Sequence, residues 1–163
     1  MEFWKYATGI GLVATLAMDA WCLLRRRLLG TPLPNYGFVG RWLGHMASGR
    51  FRHDAIAAAP RVRGEQLIGW SAHYLVGIGF AAFLLAACGL EWGRQPTPWP
   101  ALAVGLGTVA LPFLVMQPAM GAGIAARRTA RPGAARLQSV VTHAVFGAGL
   151  YLGGCIASTF QAM

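Results

Sequence analysis

Four polar side chains interrupt four hydrophobic runs of this chain: Asp19, His73, Gln117 and His143. Ionisable groups are costly in hydrocarbon, so they usually face a bundle interior and mark an ion path, a proton relay or a cofactor pocket. An ionised Asp19 there calls for a cationic partner, which His73 or His143 could supply. A carboxylate and an imidazole sharing a proton would form a proton relay or a cation-coupled substrate site. The four share a depth. Asp19 lies six residues from Arg25, Gln117 ten from Arg127, His73 ten from Arg63 and His143 seven from Arg136. At 1.5 Å per helical residue this is roughly 9–15 Å inside an arginine-rich boundary, which would let them meet.

Other chemistries fit the same residues. Two histidines on separate helices, each followed by glycines that could admit a flat ring, suit a bis-histidine haem. No Cys-x-x-Cys-His attachment motif accompanies them. Asp19, His73 and His143 could instead ligate a metal, with Met18, Met116 and Met120 as soft donors suited to Cu(I). The competing account is structural: polar groups gluing helices together at about 0.6–2 kcal/mol each, and methionines that only pack. Outside the runs, His45, His53, Asp54 and Glu65 could form a second polar site, although solvated loop residues are the default. Glu65 is placed to favour a helix N-terminus and to pair with a loop arginine. No nucleotide-binding glycine loop, His-Glu-x-x-His or Gly-x-Ser-x-Gly motif occurs, so the commonest enzyme signatures are missing and the balance leans against an enzyme.

The elements that must hold these groups are apolar helices. Of 163 residues 56% are hydrophobic and 12% charged, and the mean hydropathy is +0.49, a membrane composition. Helices are expected at about 6–29, 67–90, 99–126 and 138–160, each able to cross a hydrocarbon core of about 30 Å. The net charge of +9 is a topology signal rather than a nucleic-acid footprint. Eight arginines fall in segment 25–66 and four in 127–136, leaving only Lys5 and Arg94 elsewhere. The positive-inside rule makes that side cytoplasmic and puts both termini and the 91–98 turn outside. Thirteen arginines against one lysine, with abundant alanine and glycine, fit a GC-rich bacterial genome and hence a bacterial inner membrane. The N-terminal run has its arginines after it rather than before it and is read as a retained span, not a cleaved signal. Cys22, Cys88 and Cys155 have no paired spacing. They are expected as small buried residues, with a Cys88–Cys155 disulfide as the alternative.

Gly30, Pro32 and Pro34 end the first helix. In the loop 30–66, Asn35 can cap a short helix over about 36–46. Its apolar face of Phe38, Val39, Trp42, Leu43 and Met46 would lie in the membrane surface, with Arg41 to the side. A turn of helix is expected between Asp54 and Pro60. Trp92 and Trp99 flank the 91–98 turn and suit an aromatic belt. Pro112, Pro118, Gly121 and Gly123 should kink or unwind the inner end of the third helix. An internal repeat is also visible: His73-x-x-x-Gly77-x-Gly79 against His143-x-x-x-Gly147-x-Gly149, and Gly9-x-Gly11 against Gly105-x-Gly107. As two parallel helical hairpins it would set His73 opposite His143 and Asp19 opposite Gln117.

The runs Val39-Gly40-Arg41-Trp42-Leu43-Gly44-His45-Met46, Gly49-Arg50-Phe51-Arg52-His53-Asp54 and Gly69-Trp70-x-x-His73-Tyr74 resemble a known family. So do Pro112-Phe113-x-x-x-Gln117-Pro118-x-Met120-Gly121-x-Gly123 and Thr142-His143-x-x-Phe146-Gly147. They are similar to bacterial inner-membrane proteins catalogued as domain of unknown function 2938. The resemblance covers nearly the whole chain and implies a small multi-pass membrane protein with no assigned activity, so no catalytic residue carries over. The expectation is therefore an all-α, four-helix transmembrane bundle forming one integral membrane domain, 1–163, with a short interfacial amphipathic helix. Its leading role would be proton or small-ligand handling, as a transporter or transport accessory. A haem- or metal-binding redox subunit is the second reading, and an interaction subunit of a membrane complex or homo-oligomer the third. The bilayer is the expected partner, and nucleic acid is not.

Overall fold

A computed structural model describes residues 1–161, which contain helices and no strand. The main elements are α1 (Glu2–Leu29), α3 (Glu65–Cys88), α5 (Pro98–Gly107), which opens the third apolar stretch, and α7 (Pro132–Gln161). Between them lie α2 (Tyr36–Met46), α4 (Leu90–Arg94) and α6 (Gln117–Ala119). Four stretches are long and apolar enough to cross a membrane: Glu2–Leu29, Glu65–Cys88, Pro98–Ala119 and Pro132–Thr159.

Local chemistry sets the boundaries. α1 carries Glu2 in its first turn and Arg26 and Arg27 in its last, each sign opposed to the helix dipole at its end. It stops at Gly30, whose φ of 64° is left-handed and whose N–H returns to the Arg26 carbonyl. Asn35 caps α2 by accepting from the Gly37 N–H at 3.0 Å. A turn of 3₁₀ helix, Ile56–Ala58, ends before Pro60. The third span does not stay regular. After Gly107 it passes through a π-helical stretch, Pro112–Met116, and the three residues of α6, then loosens at Gly121 and Gly123, both with positive φ. Pro112 and Pro118 each remove a backbone donor, and a π turn is how a helix absorbs the mismatch.

Chain contacts divide the protein into two compact units. The first comprises 1–33, 74–108 and 141–163, and the second 34–73 and 109–140. In the first, α1, α3 and α7 pack around Ile10, Ala14, Leu84, Leu85, Phe146 and Leu150, with Ala101 of α5 in the same core. Glycines set the spacing. A Cβ on Gly11 would meet the Ile78 Cα at 2.5 Å, and one on Gly105 would overlap the Gly147 backbone. On α7, Gly149 lies against Ala14 and Gly153 against Ile10. Such close approaches let apolar helices associate where no hydrophobic effect drives them. Trp92, expected in an interfacial belt, is instead buried in this core and donates to the Thr97 carbonyl at 3.2 Å. Trp99 is exposed. Cys22 is buried, but Cys88 is exposed, and all three cysteines are free thiols.

In the second unit α2 packs on the start of α3 through two glycines. Gly40 lies against the Glu65 carbonyl and Gly69 against the Tyr36 carbonyl. No residue of α2 is exposed, so the helix sits inside its unit. Trp42, Ile56 and Ala119 form the core, with Phe38, Leu43, Met46, Met116 and Met120 around them.

Candidate functional site

None of the four sequence-selected residues is exposed; each is half-buried. Asp19 and His143 lie in the first unit, His73 and Gln117 in the second. Each can therefore be described with the groups its own unit brings to it.

Asp19 sits nearly three turns before the end of α1. The Tyr74 hydroxyl on α3 donates to its Oδ2 at 3.0 Å. A phenol reaching a carboxylate across two apolar helices gives the acid a partner that can hold either form: it donates to the carboxylate and can accept from the acid. Tyr74 belongs to the motif that carries the family resemblance, but nothing in the spacing of the sequence marked it as the donor.

His143 on α7 meets Thr108, the residue that ends α5. The Thr108 Oγ1 lies 2.6 Å from the Gly105 carbonyl and 2.7 Å from His143 Nδ1. A hydroxyl has one proton, and a carbonyl can only accept. Both contacts are hydrogen bonds only if Thr108 donates to Gly105 and accepts from His143 Nδ1–H, which puts the imidazole lone pair on Nε2. That tautomer is the one a ligating or proton-accepting histidine needs when its other nitrogen is oriented by an oxygen. Beside Thr108 a cleft of about 470 Å³ opens between α3 and α5, lined by Phe80, Phe83, Val104 and Gly107. The matching pair on α1 and α3 differs: Thr15 donates to the Gly11 carbonyl at 2.7 Å, and its hydroxyl crowds Gly77 rather than a histidine.

His73 is held by aromatics. Its Nε2 is 3.0 Å from the Tyr36 hydroxyl, the two rings stack at 4.2 Å and 25°, and Trp70 stands edge-on at 5.9 Å. Gln117 begins α6, directly after the π turn. Its Oε1 is buried and has no hydrogen-bond partner among the described residues, an unmet acceptor of the kind that merits a ligand or water.

The 30–66 loop departs most from expectation. Arg41, expected beside the apolar face, is buried and forms a bidentate pair with Glu65, Nε to Oε2 at 2.8 Å and Nη2 to Oε1 at 2.9 Å. Its Nη1 donates to the Ile56, Ala57 and Ala59 carbonyls, each at 3.1 Å. The charge-assisted bond to Glu65 raises the Arg41 pKa above its ordinary value. His53, read as solvated, is buried. Its Nε2 is 2.7 Å from His45 Nδ1, with the rings stacked at 4.9 Å. Burial pushes the His53 pKa down from 6.5, and the charges of Arg50 and His45 push the same way. Its Nδ1 is buried without a hydrogen-bond partner among the described residues. Asp54 is exposed. Of the four loop residues His45 and His53 pair with each other, Glu65 pairs with Arg41, and Asp54 is exposed.

For metal chemistry the described residues contain no group of three or more His, Cys, Asp or Glu side chains able to hold an ion. Met18 packs on the first core, and Met116 and Met120 on the second, where they fill space.

A family model described as a protein of unknown function (DUF2938) matches residues 8–157. No curated protein and no solved structure is significantly similar to the chain.

Proposed function

The chain belongs to that family of unknown function, and from its own residues we propose that it is a proton- or small-ligand-handling membrane protein, a transporter or transport accessory. The observation that carries this reading is the Tyr74–Asp19 hydrogen bond between two helices long and apolar enough to cross a membrane. A carboxylate is kept at such a depth at a cost, and a phenol poised on it supplies a partner in both protonation states. Asp19 is the proton- or ligand-handling group and Tyr74 positions it; His143 is a further polar group of the same unit, and His73 and Gln117 are those of the other unit. The distribution of arginines supports a bacterial inner membrane with the 30–66 and 127–137 segments cytoplasmic.

The test is proton flux into vesicles holding the purified protein, read with an entrapped pH dye, together with the infrared carboxyl band of Asp19 as pH is varied. Wild type should conduct or exchange protons and show a titrating carboxyl band that Asp19→Asn removes, and Tyr74→Phe should slow the flux. Equal flux from wild type, Asp19→Asn and empty vesicles, with no titrating band, sinks the reading.

The tautomer fixed by Thr108 favours one second reading, a haem- or metal-binding redox subunit that uses His143 Nε2 as a ligand. A visible absorption spectrum and metal analysis of protein purified from its native membrane separate the two: a Soret band or stoichiometric metal lost in His143→Ala favours the redox subunit.

A further inference from the structure

The segment that joins the third span to α7 is the most one-sidedly charged part of the protein. Residues 127–136 hold Arg127, Arg128, Arg131 and Arg136, and no acidic residue follows Glu91 anywhere in the chain. All four arginines are exposed. Among the described residues none of them pairs with a carboxylate as Arg41 and Arg94 do.

The cluster is shaped, not a loose tail. Arg127 and Arg128 lay their stems over Gly123, where an added Cβ would meet their Cγ atoms at 2.8 and 3.0 Å. Arg136, one turn into α7, reaches back and donates through Nε to the Ala125 carbonyl at 2.8 Å. Ala125 and Ala126 both hold positive φ, 48° and 58°, a backbone that L residues adopt only when their surroundings impose it. The N–H groups of Ala126, Arg127, Arg128 and Thr129 are all spent within the turn, on the carbonyls of Gly123, Ile124, Ala122 and Ala126. What the turn presents outward is therefore guanidinium groups rather than backbone donors. Immediately beyond, α7 exposes Leu137 (65%) and Val140 (37%), and Ile124 (49%) is exposed within the turn itself.

We propose that this turn is a docking site for an anionic phospholipid, whose phosphate sits among Arg127, Arg128 and Arg131 while an acyl chain runs along Leu137 and Val140 of α7. Charge complementarity selects the occupant. Four guanidinium groups without a carboxylate partner prefer an anion, guanidinium forks match phosphate oxygens two at a time, and the adjoining leucine and valine prefer hydrocarbon. A soluble anion satisfies only the first half of that surface. Each arginine near a membrane surface contributes about 1 kcal/mol of attraction to anionic lipid, roughly fivefold in retention. The proposal is independent of any proton or ligand role for Asp19.

The test uses the full chain in detergent, with lipid retention read by native mass spectrometry and melting temperature read with added phosphatidylglycerol, phosphatidylcholine or inorganic phosphate. Phosphatidylglycerol should be retained and should raise the melting temperature, while phosphatidylcholine and phosphate should do neither. Arg127→Gln with Arg128→Gln should weaken retention by an order of magnitude or more, about fivefold for each arginine, while Arg61→Gln with Arg63→Gln, in the loop before α3, leaves it unchanged. The lipid-free melting temperature of each variant is measured first, and Arg127→Lys with Arg128→Lys serves as a folded variant that keeps charge and loses the fork. Retention of both lipids alike, an equal effect of phosphate alone, or an equal loss in the Arg61/Arg63 variant would overturn the site.

Discussion

Glu65 receives the whole fork of the Arg41 guanidinium, Nε at 2.8 Å and Nη2 at 2.9 Å, while the remaining Nη1 gathers three carbonyls of the turn at residues 56–59. One arginine thus ties α2, the start of α3 and the intervening loop together. The Val62 N–H adds a third bond to the same carboxylate at 3.2 Å. Removing either partner leaves the other buried and uncompensated, whereas removing both leaves an apolar gap.

Arg41→Lys and Glu65→Gln are accordingly each expected to lower the melting temperature by about 5–10 °C. A lysine carries the charge but cannot span two carboxylate oxygens and three carbonyls. The double replacement Arg41→Met with Glu65→Leu should be milder than the sum of the single losses. Protease cleavage within 47–64 should rise in the single variants. Additive, minor losses would show that the pair is a surface contact of little consequence.

The His45–His53 pair predicts a pH dependence with a definite sign. The folded His53 pKa lies below 6.5, so the unfolded chain takes up the proton first as pH falls. The stability held by neutral His53 is full above about pH 6.5 and is lost as pH falls through the folded value. The loss should appear where His53 holds the loop. Its N–H donates to the Ala119 carbonyl at 2.8 Å, and the Ile56 N–H to Met120 at 3.1 Å. Hydrogen-exchange protection of these two amides, corrected for intrinsic rates, should fall severalfold between pH 7.5 and pH 5. His53→Gln should flatten the dependence, and an unchanged slope in that variant would mean that another group titrates.

Glycine pairs two residues apart make an internal control for helix packing. Gly11 and Gly105 lie at helix contacts, whereas a Cβ on Gly9 or Gly107 would meet nothing within 4 Å. Gly11→Ala and Gly105→Ala should destabilise by about 1–3 kcal/mol through overpacking. Gly9→Ala and Gly107→Ala should be neutral or gain about 0.5–1 kcal/mol from reduced backbone freedom. Melting curves of the four variants decide this, and equal behaviour within each pair would refute close packing at Gly11 and Gly105.

What could be read in advance follows from where the information lies. Asn35 capping α2, Gly30 ending α1 and the prolines that break the third span are local chemistry, and the chain states them directly. The four apolar helices follow from composition and length. The burial of Arg41, His53 and Trp92 did not follow, because each is buried by residues far along the chain: Arg41 by Glu65 and the 56–59 turn, His53 by the backbone at Ala119, Trp92 by α7 at Gly154. Charge, ring nitrogens and a turn position made them look solvated or interfacial. The partners of the polar groups in the apolar helices were hidden for the opposite reason. Tyr74, Thr108 and Tyr36 are ordinary residues in apolar or loop surroundings, and only the helix crossings at Gly11 and Gly105 bring Tyr74 to Asp19 and Thr108 to His143.

Orientation is the last expectation, and it comes from arginine alone. Twelve of the fourteen basic residues lie in segments 25–66 and 127–136, and insertion retains such segments on the cytoplasmic side. Arg52 and Gln95 are both exposed and lie in the two loops that this rule sets on opposite faces. Cys22, Cys88 and Cys155 would first be replaced by serine or alanine, since Cys88 is exposed and would report on its own account. In that background Gln95→Cys should react with a membrane-impermeant maleimide added to intact cells, while Arg52→Cys should react only after permeabilisation. The reverse pattern would invert the topology and move the arginine cluster at 127–136 to the outer leaflet. Labelling of both sites in intact cells would place both loops on the same face and break the four-span arrangement.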